Sequence, residues 1–217
     1  MKRLYIIVEG QTEQEFVNSM IAPYLKQYGI ETVVPIVIKT SISGRGGLSK
    51  YSHIKKHADN LLGSKKTDFV VSMFVDYFRI PKNLPNKGKW ESVENHLEQI
   101  LMMEKCIAED INDNRFIPYI QMHEFETLLF SSNKGFDYYF TNKESAQTKK
   151  IIDAYNNPED INTTPEGAPS KRILAIKDNY DKVLEGNLVA LEIGIGDIIS
   201  KCPRFRAWIE KLIEACK

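Results

Sequence analysis

The stretch Val8-Glu9-Gly10-Gln11-Thr12-Glu13 decides the fold, because a strand pattern ends within it and a helix pattern begins. Upstream, Leu4 to Val8 is a continuous apolar run rich in β-branched residues, which indicates a strand buried on both faces. Downstream, Thr12 with Glu15 three residues later predicts a capping box that opens a helix through about residue 26. Glu9 is therefore expected at the C-terminal end of the first strand.

The first half of the chain alternates predicted strands and helices, whereas the second half is predicted to be helical. Further strands are predicted at 32–38, 69–75 and 116–120, with helices at 51–62, 90–108, 143–155, 169–185 and 203–216. This alternation predicts an α/β fold with a mostly parallel four-stranded sheet flanked by helices. We expect one domain over 1–217, with an α/β core at 1–130 and a helical extension at 131–217 packed on it.

Composition excludes some classes of protein. The chain has 217 residues with 29 basic and 29 acidic side chains, so no global field attracts it to nucleic acid or to an anionic membrane. Any phosphate binding has to come from a local patch. Three widely spaced cysteines argue against a disulfide framework and favour a reducing cytoplasm. No apolar run approaches eighteen residues, so a soluble protein without a membrane partner is expected.

Acidic residues follow three of the predicted strands. Glu9 follows the first strand, Asp76 the third, and Glu124 and Glu126 the fourth. Because the carboxyl ends of strands in an open α/β sheet line one crevice, we expect these carboxylates to converge there. Oxygen ligands from separate strands are what Mg²⁺ or Mn²⁺ requires. Each acid taken alone is more often a solvated loop residue or a helix cap.

Two neighbours of these acids are open to more than one interpretation. Glu13 follows Glu9 by four residues and could face the same site as a metal ligand. The helix macrodipole, however, favours an acid in any first helical turn. His123 could act as a general acid or base, although a hydrogen-bonded structural role is the commoner one. The segment His123-Glu124-Phe125-Glu126 lacks the second histidine of the HExxH zinc motif.

Two segments carry cations that could bind phosphate. Gly44-Arg45-Gly46-Gly47 offers Arg45 together with the backbone donors of Gly46 and Gly47, although a flexible loop is the alternative interpretation. Lys171 and Arg172 begin a predicted helix, where positive charge opposes the macrodipole unless it serves an anion. The sequence predicts that Lys171 acts on the transition state and that Arg172 binds phosphate, with solvated surface charge as the default.

With these residues assembled, the chain resembles a bacterial and archaeal family of TOPRIM-like proteins, the domain-of-unknown-function family 4276. The matching segments follow one another along nearly the whole chain: VEGQTEQEFV, GRGGLSKY, FVDYFRIP, RFIPYIQMHEFETLLF, NPEDIN, APSKRI and CPRFRAWIEKL. The resemblance implies a Rossmann-like TOPRIM core related to the nuclease domain of overcoming-lysogenization-defect (OLD) proteins.

TOPRIM domains hold Mg²⁺ with a glutamate after the first strand and an Asp-x-Asp after a later strand. By this resemblance Glu9 is a general acid/base or metal ligand and Asp76 is the first aspartate. Glu13 fits the Glu-Gly-x-x-acid pattern of the nuclease branch. Phe78 stands where the second aspartate is expected, so metal binding would need Glu124 or Glu126 in its place.

Two functions follow from the resemblance. The first is a Mg²⁺- or Mn²⁺-dependent nuclease, acting on DNA rather than RNA, in phage or plasmid defence; its catalytic residues are Glu9, Asp76, Glu124 and Lys171. The second is a non-catalytic TOPRIM-like partner subunit of an ABC-type ATPase, favoured by Phe78 and by the neutral charge, which provides little unaided DNA affinity. A purely structural protein leaves the convergent acids unexplained.

Overall fold

A parallel sheet forms the centre of the fold. The computed structural model describes residues 2–38, 48–161, 164 and 167–217. Its strands are β1 (Arg3–Val8), β2 (Val33–Val37), β3 (Phe69–Asp76), β4 (Phe116–Ile117) and β5 (Ile120–Gln121). Their order is β2-β1-β3-β4, with β5 also paired to β3, and every pairing is parallel. The predicted α/β fold with a mostly parallel sheet is confirmed.

Helices surround the sheet and form most of the second half. The α-helices are α1 (Gln11–Phe16), α2 (Ala22–Lys26), α3 (Tyr51–Leu62), α4 (Lys87–Trp90), α5 (His96–Ile111), α6 (Lys134–Tyr139), α7 (Asn142–Asp153), α8 (Pro169–Ile176), α9 (Leu184–Ile193), α10 (Ile195–Lys201) and α11 (Pro203–Cys216). A π-helical turn, Val17–Ile21, joins α1 to α2. Short 3-10 helices lie at Tyr77–Arg79, Phe125–Ser131 and Pro158–Asp160. Among the described residues, no helix is long and apolar enough to cross a membrane.

The two faces of the sheet are buried in separate apolar clusters. Leu4, Ile6 and Val8 of β1 point to one face and pack with α1, α11 and the helices of the second half. Ile7 points to the other face and packs with α3 and α5. Burial on both faces explains why β1 and β3 are mostly apolar in the sequence, apart from Arg3, Ser72 and Asp76.

Four sequence predictions need correction. The predicted fourth strand, 116–120, is split into β4 and β5 because Pro118 has no N–H to give to the ladder, so the described residues form a sheet of five strands and not four. The first helix is capped at Gly10, whose N–H donates to the Glu13 carboxylate at 2.9 Å, and not by Thr12 with Glu15.

The other two corrections concern helix boundaries. The predicted helix 90–108 begins only after Asn95, whose side chain accepts from the Glu98 N–H at 3.1 Å and so caps α5. The predicted helix 169–185 ends at Ile176, and α9 starts separately at Leu184. The segment between α8 and α9 carries Lys182, the most consequential residue that the sequence prediction missed.

Candidate functional site

Five carboxylates lie together at the carboxyl edge of the sheet. Each has at most 9% of its residue surface exposed, although ionised acids are rarely buried without partners. They are Glu9, Glu13, Asp76, Glu124 and Glu126. We refer to these five residues as the acid cluster.

Lys182 joins the acid cluster from the second half of the chain. Its ammonium nitrogen lies 3.1 Å from Glu126 Oε2, 3.4 Å from Asp76 Oδ2 and 3.7 Å from Glu13 Oε1. One cation therefore contacts acids from three separate elements. Burial alone would lower the pKa of Lys182, but the carboxylates around it raise that pKa above its ordinary value. Lys182 is therefore held in its charged form.

Hydrogen bonds of Asp181 and Asn187 hold the segment that carries Lys182. Asp181 accepts from the N–H groups of Val183 and Leu184 at 2.9 and 3.0 Å, which orders the start of α9. Asn187 donates to the Thr12 carbonyl of α1 at 3.2 Å. Since Glu13 follows Thr12, this bond holds the lysine segment against the helix that carries one of its acids.

Glu9 occupies the outer part of the cluster. Its Oε1 accepts from the Leu48 N–H at 3.4 Å and lies 4.0 Å from an Arg79 guanidinium nitrogen. The Arg79 side chain is 61% exposed, so this cation stands where the cluster meets solvent. Burial, reinforced by Asp76 and Glu13, raises the pKa of Glu9 to about 7.

The pKa values of the inner acids, Asp76, Glu13 and Glu126, are also raised. Burial raises the pKa of Asp76, with Lys182 opposing the shift and Glu124 adding to it. Burial and Asp76 raise the pKa of Glu13. Burial raises the pKa of Glu126 to about 7 although Lys182 opposes the shift. The interior therefore favours the protonated forms of these acids, and negative charge at the cluster is costly.

His123 turns the chain so that Glu124 and Glu126 enter the cluster. It adopts φ +60°, a left-handed conformation that few residues other than glycine accept. The Phe78 N–H donates to the His123 carbonyl at 3.0 Å, which ties this turn to the end of β3. Phe125, fully buried against Phe16, anchors the backbone between the two glutamates. The strained turn thus sets the direction of both acids.

His123 itself makes a structural contact. One ring nitrogen, Nε2, lies 3.0 Å from the Glu159 carbonyl, and burial lowers the pKa of His123 to about 4. The imidazole is therefore neutral at physiological pH. The structural interpretation of this histidine fits these contacts.

The predicted phosphate-binding residues are placed differently from one another. Arg45, Gly46 and Gly47 lie outside the described residues. Lys171 is exposed on α8, with no contact to the acid cluster among the bonds of the described residues. Arg172 donates to the carbonyls of Gly167 and Ile161 at 2.8 and 3.2 Å, so its guanidinium holds the chain before α8 in place.

Helix α8 reaches the acid cluster through its backbone instead. The Ser170 N–H, in the first turn of α8, donates to Glu124 Oε1 at 2.6 Å. The sequence prediction for this segment concerned the Lys171 and Arg172 side chains and a phosphate, and it stays a prediction. The group that makes the contact is a main-chain N–H, which no side-chain pattern can indicate.

A wider depression of about 1060 Å³ lies at the opposite edge of the sheet, between Lys2, Lys65 and Arg115. The Arg115 guanidinium is already bonded to Asp113 and to the carbonyls of Leu62, Ser64 and Lys66. In parallel α/β sheets, ligand chemistry gathers at the carboxyl ends of the strands. The acid cluster and not this depression is therefore the candidate site.

The fold and the site define a class: an α/β protein of the TOPRIM-like type with buried acids at the carboxyl ends of its strands. The chain belongs to the family described as "Domain of unknown function (DUF4276)", whose model matches residues 8–213. No curated protein matches the chain significantly.

Solved structures share the fold at low sequence identity. The C-terminal region of the Burkholderia pseudomallei OLD protein has a TM-score of 0.50 and 16% identity, with 100% of both chains covered. The C-terminal region of the Xanthomonas campestris pv. campestris OLD protein has a TM-score of 0.48 and 16% identity, covering 99% of this chain and 92% of that one. The C-terminal regions of OLD proteins carry the TOPRIM domain, and the likeness to the Burkholderia structure together with the family match confirms the TOPRIM-like fold predicted from the sequence.

Proposed function

We propose that this protein is a Mg²⁺- or Mn²⁺-dependent nuclease of the TOPRIM type, with the acid cluster and Lys182 as its active centre. One observation carries the proposal: five buried carboxylates lie together, three of them in contact with one ammonium group, and four of their oxygens have no hydrogen-bond partner among the described residues. Those oxygens are Glu9 Oε2, Asp76 Oδ1 and both oxygens of Glu126, of which Oε2 forms the ion pair with Lys182. Buried acids without partners are costly and are commonly retained for function.

The chemistry of these donors fits a hard divalent cation. All five side chains offer oxygen ligands, which Mg²⁺ and Mn²⁺ prefer, and a cation would offset the negative charge that Lys182 leaves unbalanced. Within the described part of the chain, no three acidic, histidine or cysteine side chains stand close enough together to hold a metal as they are arranged. Metal binding therefore requires the carboxylates to close around the ion. Glu9, Asp76 and Glu126 are the residues we assign to hold it, with Glu13 and Glu124 beside them.

A bound divalent ion would supply an activated water and stabilise the leaving oxygen of a phosphodiester. The chain itself supplies cations for the phosphate. Lys182 is charged and fixed, so its ammonium can donate to a non-bridging oxygen of the phosphate group. Arg79 stands at the solvent side of Glu9 and can bind a phosphate with its planar guanidinium. These residues take over the role that the sequence assigned to Lys171 and Arg172.

Phe78 need not prevent metal binding. The Phe78 N–H binds the His123 carbonyl, and this bond brings the Glu124–Glu126 segment beside Asp76. Lys182 contacts both Asp76 and Glu126, so a fully buried carboxylate lies next to the first aspartate of the TOPRIM pattern. We propose that Glu126 supplies the charge that Phe78 lacks.

The test is cleavage of plasmid and single-stranded DNA by the purified protein in Mn²⁺ and in Mg²⁺. We expect nicked or shortened products from the wild type and none from Glu9→Ala. The Glu192→Gln variant, which changes an exposed acid on α9, is the matched control and should cleave like the wild type. Cleavage that persists in Glu9→Ala would rule out the proposed active centre.

The second candidate is a TOPRIM-like partner of an ABC-type ATPase without turnover of its own. It is favoured by Phe78 at the second aspartate position and by the open arrangement of the acids. It predicts that the isolated protein does not cleave DNA under any metal condition, while it forms a complex with an ATPase encoded beside it. Size-exclusion chromatography of the co-expressed pair decides this. DNA as substrate and a role in phage or plasmid defence in the cytoplasm remain parts of the proposal.

A further inference from the structure

A cleft of about 380 Å³ is lined by residues that adjoin the acid cluster either in the chain or through a side-chain contact. One wall is formed by His123, which precedes Glu124 in the chain. Another is formed by His96, whose Nδ1 lies 2.9 Å from the Tyr77 hydroxyl, and Tyr77 follows Asp76. The lining of the cleft is therefore connected to the acid cluster directly along the chain at His123, and through Tyr77 at His96. Its volume is within the range of about 300–1,000 Å³ that is usual for small-molecule sites.

The lining of the cleft suits a flat heterocycle. Leu97 and Met122 provide apolar surface, and 41% of Leu97 is exposed although it is a large aliphatic residue. Asn95 and His96 offer polar groups beside that surface. A polar ring system can therefore pack its face on Leu97 and Met122 while its edge meets hydrogen-bonding groups, as in pockets that bind bases.

The charge of the lining excludes a phosphate from the cleft. Glu94 and Asp160, both exposed, are among its lining residues. Carboxylates repel a phosphate but accept hydrogen bonds from the exocyclic amino group of cytosine or adenine. A nucleotide at this site would therefore place its base in the cleft and its phosphate at Lys182 and Arg79.

We propose that this cleft binds one unpaired nucleobase of a single-stranded nucleic acid whose phosphodiester lies at the acid cluster. The inference rests on the proposed function and adds the class of substrate. A base can enter the cleft only when it is neither paired nor stacked in a duplex. Single strands and frayed ends are accordingly preferred to intact duplexes.

The experiment compares two leucines on one helix. Leu97 lies in the cleft, whereas Leu101, one turn later on α5 and 50% exposed, lies outside its lining. The variants Leu97→Glu and Leu101→Glu add the same charge at similarly exposed positions, and Leu97→Ala removes the side chain without adding charge. Binding of a short fluorescent single-stranded DNA in Ca²⁺ is followed by anisotropy, with a gel to show that the strand stays intact.

We expect Leu97→Glu to bind about tenfold more weakly than the wild type, Leu97→Ala to be weakened in the same direction, and Leu101→Glu to be unchanged. The wild type should bind an oligonucleotide that has an abasic site nearest the bound phosphate about tenfold more weakly than the intact oligonucleotide. Leu97→Glu should bind the two oligonucleotides equally, because its base contact is already lost.

The outcomes separate this inference from the proposed function. If the wild type binds and cleaves DNA while Leu97→Glu binds as tightly as Leu101→Glu, the base-binding cleft is overturned and the nuclease remains. Tighter binding to a duplex than to the single strand also overturns it. If neither form of DNA is bound or cleaved by the wild type, both proposals fail.

Discussion

The ammonium nitrogen of Lys182 lies 3.1 Å from a carboxylate oxygen of Glu126, whose side chain has no exposed surface. The two residues are 56 positions apart in the chain, so the contact exists only in the folded protein. Lys182 compensates part of the charge of Glu126, Asp76 and Glu13, while burial still raises the pKa values of these acids. Ionisation of these acids in the folded protein therefore costs stability.

Removing Lys182 tests this compensation. We expect Lys182→Met to lower the free energy of unfolding by about 3–5 kcal/mol, because buried acids lose the cation that they face. Chemical denaturation at pH 7 measures the change. Lys171→Met, which alters an exposed lysine, is the matched variant and should stay within about 0.5 kcal/mol of the wild type. Equal effects of the two substitutions would refute the assigned role.

The same pair of variants decides which lysine serves the reaction. Lys182→Met should abolish Mn²⁺-dependent DNA cleavage, whereas Lys171→Met should retain it, because only Lys182 contacts the acid cluster. The readout is the initial cleavage rate, corrected for the folded fraction. Loss of activity in Lys171→Met alone would restore the role that the sequence assigned to it.

Neutralising Glu126 should stabilise the metal-free protein. At pH 8 the ionised carboxylate is disfavoured by burial, which raises its pKa to about 7, and Glu126→Gln removes that cost. We expect the free energy of unfolding to rise by about 1–3 kcal/mol, measured by denaturation in the presence of a chelator. A clear loss of stability would show that the carboxylate is a structural group.

The pH dependence of stability should follow the raised pKa values. The pKa values of Glu9 and Glu126 are about 7 in the folded protein and 4.5 in the reference state, so the folded form binds these protons more tightly. The stabilisation that the folded protein gains from protonated Glu9 and Glu126 is therefore complete below pH 4.5 and is lost as the pH rises through 7. In the absence of metal, denaturation at pH 5.5 should give a higher stability than at pH 8. The Glu126→Gln variant should show a shallower slope.

Metal binding should raise the thermal stability. Saturation at a hundred times the Kd stabilises a protein by about 2.7 kcal/mol, so a titration with Mn²⁺ should raise the Tm of the wild type by several degrees. Asp76→Asn should reduce this shift strongly, because it removes a carboxylate at the centre of the cluster. An unchanged shift in Asp76→Asn would place the metal elsewhere.

The elements that carry the site were predictable where one physical signal dominates. The runs that became β1 and β3 are apolar because both sheet faces are buried, and Tyr51–Leu62 was predicted with the bounds that α3 has. The acids Glu9 and Asp76 were identified because they follow such runs. Local sequence is informative here because burial of a parallel strand leaves few alternatives.

The contacts that complete the site depend on tertiary structure and could not be predicted. Lys182 was included in a predicted helix over 169–185, although Asp178, Asn179 and Asp181 are turn and capping residues that point to a break there. The bond from the Ser170 N–H to Glu124 and the left-handed turn at His123 leave no trace in a single sequence. Both depend on how the second half packs against the sheet.

The central claim is that the acid cluster is a metal-dependent centre for phosphodiester cleavage. The most direct measurement is the rate of Mn²⁺-dependent cleavage of single-stranded DNA by separately purified wild type, Asp76→Asn and Glu192→Gln. The account predicts cleavage by the wild type and by Glu192→Gln, and a loss of about a hundredfold or more in Asp76→Asn, since the metal would lose a ligand. Equal rates in all three proteins would contradict it.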